Sequence, residues 1–195
     1  GKGSGAVGAR NAQIGLGIEQ RAQEKYGKSF EKLVLEKLKL EPAIISTQIP
    51  PPEPVAYFLH SAVLLTGAFG QLGCDCRQLM RSEIGEVSEP FEATQTGSST
   101  MPQKRNPIHW EQLQGMFLRT KSEYGKVLDT LISEHQRDLV GSSLMRDFPI
   151  IIVNLTVQLE MLLRKNKEGV PFLARLAINE ETCRRNLRMS ENVAL

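Results

Sequence analysis

The sequence has no run of about 18 apolar residues, the length a bilayer-crossing helix needs, so no transmembrane helix is expected. It has no surplus of charge of either sign. Its 24 Lys and Arg against 22 Asp and Glu leave a net +2, too little to argue for a nucleic-acid or membrane-surface partner. Cysteine is sparse: Cys74, Cys76 and Cys183 show no metal-ligand spacing, so no metal site is expected. An odd count of this kind reads as reduced thiols in a cytoplasmic protein. Cys74 and Cys76 sit two apart in an apolar helical pattern, do not face each other, and read as buried or half-buried structural residues. Sustained period-two alternation is also missing, so strands are not expected. The opening residues Gly1-Lys2-Gly3-Ser4-Gly5 lack a signal-peptide core, and the missing initial methionine reads as a fragment of a longer protein.

What the chain does have is helical periodicity. With 195 residues and 41% hydrophobic content it can build a sizeable core. Residues 1–28 are glycine-rich, then polar. Gly3-Ser4-Gly5-Ala6-Val7-Gly8 matches G-x-G-x-x-G, but no strand can precede it, and a flexible loop is expected instead. Residues 29–39 read as a short helix capped by Ser29, with Phe30, Leu33, Val34 and Leu38 as its apolar stripe. Pro50-Pro51-Pro52-Glu53-Pro54 is a rigid break. A long helix over 55–82 follows, carrying Phe58, Val63, Leu65, Phe69, Leu72 and Leu79. Its small residues Ala62, Gly67, Ala68, Gly70 and Gly73 permit close helix contact. Further helices are expected over 107–134, 139–166 with a kink or break at Pro149, and roughly 179–188. The fold class is therefore all-α, a long-helix bundle.

Between the long helices lies Thr96-Gly97-Ser98-Ser99-Thr100-Met101-Pro102-Gln103-Lys104-Arg105-Asn106-Pro107. It gathers two hydroxyls, a lysine and an amide in a glycine-led loop running into a helix. Asn106 suits the N-cap and Pro107 the first helical position. Backbone N–H groups and the helix dipole would then favour an anion, with Lys104 adding a full charge. The segment resembles the signature of the fumarase/aspartase superfamily, Gly-Ser-Ser-x-Met-Pro-x-Lys-x-Asn-Pro, at every fixed position.

That resemblance implies a central bundle of very long helices assembled as a homotetramer with active sites shared between subunits, no cofactor, and a β-elimination that releases fumarate. By position Ser98 would be the general base. Lys104 and Asn106 would stabilise the dianionic aci-carboxylate-like species. Ser99 is the alternative base or a turn former. Met101 packs near substrate or simply in the core. Glu111 matches the acidic residue that orients the family's histidine, or is a favourable first-turn carboxylate. The family's general-acid histidine belongs to a block upstream of this chain. His60 reads as a packed or surface histidine, and His109 follows the signature closely enough to touch the site.

A second segment, His135-Gln136-Arg137-Asp138-Leu139-Val140-Gly141-Ser142-Ser143-Leu144-Met145-Arg146, resembles the phosphate-gripping segment of the adenylosuccinate lyase branch. Arg137, Ser142 and Arg146 would hold a nucleotide phosphate, with Ser142 and Arg146 four apart on one helical face. Ser46-Thr47-Gln48 resembles a further family segment and makes Gln48 a substrate-amide contact. It departs from the pattern where Pro51-Pro52-Glu53-Pro54 replaces an expected arginine-bearing stretch. Glu83-Ile84-Gly85-Glu86-Val87 also occurs in carboxymuconate cycloisomerases, which keeps that substrate open. An inactive bundle-forming fragment is the non-enzymatic alternative. The resemblance runs from Gly5 to Leu187, implying residues 1–166 as part of the central bundle and 167–195 as the start of a C-terminal helical domain.

Overall fold

The computed structural model describes residues 1–90, 105–132 and 140–193, with side chains through Met189. Its elements are α1 (Asn11–Gly15), α2 (Ile18–Tyr26), α3 (Phe30–Lys37), α4 (Glu53–Leu79), β1 (Val87–Ser88), α5 (Ile108–Asp129), α6 (Val140–Leu144), α7 (Pro149–Leu163), β2 (Ala177–Ile178) and α8 (Glu180–Val193). The all-α class is observed. The chain divides into two compact units, Gly1–Phe58 with Lys126–Asp147, and Leu59–Gly125 with Phe148–Leu195.

In the first unit residues 1–10 form a loop, as expected, and it is held by hydrogen bonds to later chain. Glycines at φ 64° and 63° (Gly17 and Gly27) bracket α2. The backbone ahead of α1 is tied to residues 41–48: Ala43 N donates to Gly1 O at 2.8 Å, and Lys2 Nζ donates to Gln48 O at 2.7 Å. Gly8, at φ 77°, lies so close to Ser46 that a Cβ there would sit 2.0 Å from its carbonyl oxygen. At Gly8, then, glycine is required because backbone packs on backbone. Ser29 caps α3 as expected, its Oγ accepting from Lys32 N at 3.2 Å. The buried residue of α3 is Leu35, however, while Val34 and Leu38 are exposed. Which face is covered is decided by the strand of chain around Gly1 and Leu40, information the helix itself does not carry.

The second unit packs α4, α5 and α7 around Cys76, Trp110, Leu113, Leu162 and Phe172. The small residues of α4 work as expected. A Cβ at Gly73 would meet Trp110 O at 2.6 Å, and one at Gly70 would meet Phe117 Cβ at 2.9 Å. From α7, the fully buried Gln158 donates through Nε2 to Thr66 O (3.2 Å) on α4 and Leu113 O (2.8 Å) on α5. Pro149 begins α7 and Phe148 precedes it, the break anticipated there; Met145–Asp147 form a 3₁₀ turn rather than a continuation of α6. The expectation of no strand fails at one place. β1 and β2 pair antiparallel, Val87 with Ile178 and Ser88 with Ala177. Two residues are too few for alternation to register in sequence. Asn179 then caps α8, its Oδ1 accepting from Thr182 N at 3.1 Å.

Two helical stretches, Glu53–Leu79 and Val140–Leu163, are long and apolar enough to cross a membrane by length and composition, although no uninterrupted apolar run flagged them in sequence. Core helices of bundles pass the same test.

Candidate active site

The signature segment leads into α5, and the start of that helix is where the site becomes visible. Pro107 O accepts from Glu111 N at 3.0 Å, the first bond of the helix, so Pro107 occupies the cap and Asn106 lies one residue before it. Both expected placements shift by one. Proline offers no side-chain acceptor, so the N–H groups of the first turn need another partner. Glu89 supplies it. Its Oε1 accepts from His109 N (3.0 Å) and Trp110 N (3.1 Å), and its Oε2 lies 2.8 Å from His109 Nδ1. Glu89 is only 6% exposed. A buried carboxylate is costly unless its oxygens are satisfied, and here two backbone donors, an imidazole and the helix dipole meet it.

This arrangement bears only on the helix-end part of the anion-site expectation; the loop residues before Arg105 lie outside the described residues. The N–H groups of His109 and Trp110 are occupied by the protein's own carboxylate and are not offered to a substrate. Sequence reasoning passed over Glu89. No local signal marks it, because the amides it meets stand 20 and 21 residues further on.

His109 packs its ring 4.5 Å from that of Phe172, whose edge also meets Trp110 at 5.3 Å. Beside it opens a cavity of about 450 Å³, lined by Pro90, His109 and Phe172 and by the cations Arg164, Lys165, Lys167 and Arg175. A tight hairpin bonded from Phe172 N to Arg164 O (2.9 Å) and Asn166 N to Val170 O (3.0 Å) carries three of those cations. Burial first, then the Asp75 and Glu89 carboxylates, push the Cys76 thiol above its ordinary range. The three cysteines are free, Cys76 buried and the others half-buried. Among the described residues no cluster of potential ligands could hold a metal ion.

Ser98, Ser99, Met101, Lys104 and Arg137 lie outside the described residues. Asn106 is half-buried and Glu111 exposed, both at the start of α5 in the second unit. Gln48, Ser142 and Arg146 belong to the first unit. Gln48 is exposed, and Ser142 is half-buried on α6. Arg146 is exposed in the following 3₁₀ turn, so the four-residue α-helical spacing does not extend from one to the other. His60 is exposed, its ring 5.5 Å from that of Tyr124.

A bundle of this kind, with a glycine-serine-lysine signature entering its second long helix, is the architecture of a lyase, and residues 4–120 match the family model described as Lyase. The chain belongs to that family, within the fumarase/aspartase superfamily. It is 37% identical over 169 residues to adenylosuccinate lyase of Pyrococcus horikoshii, covering 85% of this chain and 36% of that protein. It is 35% identical over 189 residues to adenylosuccinate lyase of Archaeoglobus fulgidus, covering 97% and 40%. The chain thus spans well under half the length of these relatives. In fold it is similar to 3-carboxy-cis,cis-muconate lactonizing enzyme of Pseudomonas putida (TM-score 0.66, 24% identity, 96% of this chain and 38% of that one).

Proposed function

We propose that the protein to which this chain belongs cleaves adenylosuccinate, and the related succinyl-aminoimidazole carboxamide ribotide, in a carbon–nitrogen lyase reaction that yields AMP from the former and fumarate from both. The observation that carries this reading is the complete signature at residues 97–107 in a chain more than one-third identical to adenylosuccinate lyases.

Ser98 removes the proton from the succinyl carbon beside a carboxylate. The electron pair passes into that carboxylate as an aci-form, then collapses to form the C=C bond as the C–N bond breaks. The nucleotide amine takes a proton from a histidine outside this chain. A serine hydroxyl is a weak base, so Lys104 must lower the cost of its alkoxide and, with the Asn106 amide, offset the second charge on the carboxylate. Because Glu89 already occupies the first amides of α5, that burden falls on these side chains. Glu111 orients the proton-donating histidine, Met101 and Ser99 shape the pocket, Gln48 meets the substrate amide, and Arg137, Ser142 and Arg146 hold its phosphate. No cofactor is required. The active protein is a cytoplasmic homotetramer with sites shared between subunits, and residues 167–195 open its C-terminal domain. The 195-residue chain alone, without the histidine block, is inactive.

The test is fumarate release from adenylosuccinate by the full-length gene product, beside Ser98→Ala. Loss of a general base should lower kcat by about 10²–10⁴-fold. Turnover of carboxymuconate with none of adenylosuccinate would move the protein to the cycloisomerase reading, which the Glu83–Val87 segment and the Pseudomonas fold likeness favour.

A further inference from the structure

We infer that Glu89 is a positioning residue of the lyase site: its carboxylate, by capping α5 from outside the helix, fixes the backbone on which Asn106 stands. The inference rests on the lyase reading above and adds to it a residue with no assigned part in the chemistry.

Three observations converge. First, Pro107 holds the cap position and brings no side-chain acceptor of its own. Second, the substitute is fully engaged. One carboxylate takes the His109 and Trp110 amides at 3.0 and 3.1 Å and the His109 ring at 2.8 Å, in a 94% buried setting. Third, Glu89 is itself anchored. It directly follows β1, which is paired with β2, and the neighbouring Glu86 O accepts from Asn179 N at 2.9 Å. The first turn of α5 is therefore referenced to the β1–β2 ladder rather than to its own local sequence. Asn106 lies three residues before the first amide so held. An amide that must meet developing charge tolerates little displacement, and a misplacement of about 1 Å can cost about 10²-fold in rate.

The experiment uses the full-length protein with Glu89→Gln, Glu89→Ala, Pro107→Asp and the Glu89→Ala/Pro107→Asp pair. Hydrogen exchange of the 105–112 peptide reads the cap, and steady-state kinetics with adenylosuccinate read its consequence. Glu89→Ala should speed exchange at His109 and Trp110 by at least about tenfold. It should lower kcat by about 10²-fold while leaving KM within about threefold, since the loss falls on transition-state placement. Glu89→Gln, which keeps an acceptor but not the charge, should fall between. Pro107→Asp gives the helix a local cap, so the pair should regain slow exchange and most of kcat. Wild-type kcat in Glu89→Ala, or a kcat that stays low in the pair after exchange has slowed again, overturns the inference. Absence of turnover by the wild type overturns the lyase reading instead, and with it the catalytic consequence, while the exchange data still report the cap.

Discussion

Gly73 shows how much a single missing side chain decides. A Cβ there would lie 2.6 Å from Trp110 O and 3.0 Å from Leu113 Cβ, so α4 and α5 touch only because it is absent. Gly73→Ala gains roughly 1 kcal/mol of helix propensity. It also forces two helices apart at a buried contact, and overpacking of this kind costs typically 1–3 kcal/mol. The backbone neighbour cannot rotate away, so the second effect wins. The expected outcome is a Tm several degrees lower, read by circular dichroism. Cys76 offers a chemical check at the same scale. Its raised thiol pKa keeps it neutral near pH 7, so alkylation should reach Cys74 and Cys183 first and Cys76 last, as peptide mass spectrometry would show. A folded-state pKa above the unfolded one also means that Cys76 contributes stability that is lost as pH rises past the ordinary thiol range. Both residues were legible in part. The sequence marked Gly73 as a close-contact glycine and Cys76 as structural, because size and helical phase suffice for that. Glu89 was not legible, because its partners stand 20 and 21 residues away and nothing local distinguishes it from a solvated carboxylate.

Elements were readable to the extent that their own residues determine them. α4, α5, α7 and α8 carry enough apolar periodicity or capping to be found; their ends lie within five residues of the spans expected, except that α7 starts only at Pro149, the break expected inside 139–166. α1, α2 and the β1–β2 ladder escaped, because each is short and held by what it packs against. Gln158 illustrates the same dependence from inside the bundle. It joins α7 to α4 and α5 by two donations from Nε2, while its Oε1 finds no partner among the described residues. Gln158→Met keeps the volume and removes the unsatisfied oxygen. The Thr66 and Leu113 carbonyls remain in their helices, so the change should stay within about 1 kcal/mol. Gln158→Glu loses both donations and buries a charge, a cost of about 3–5 kcal/mol. Urea denaturation of the two variants separates these outcomes. Equal destabilisation would mean that Gln158 acts by packing alone.

Among the described residues a good deal of apolar surface is exposed. On the part of α4 that belongs to the second unit, Leu64 and Leu65 are 62 and 44% exposed. Ser61 and Ala68 flank them on the same face, also exposed and small. A helix with such a row needs a cover, either lipid or protein. The composition of α4 admits both, since it is long and apolar enough for a bilayer. Its interior polar residue argues for protein: Thr66 is fully buried with its Oγ1 donating to Val63 O at 2.7 Å, and its carbonyl receives Gln158, so the opposite side of α4 is already committed to a bundle. The homotetramer proposed above would place another subunit's helix on the exposed row. The full-length protein should then sediment as a tetramer in buffer without detergent. Leu64→Glu combined with Leu65→Glu should shift it to smaller species and abolish turnover at sites that subunits share, while either unit's helical content, read by circular dichroism, changes little. A protein that stays tetrameric with both glutamates in place would show that the row faces something other than a second copy of the chain.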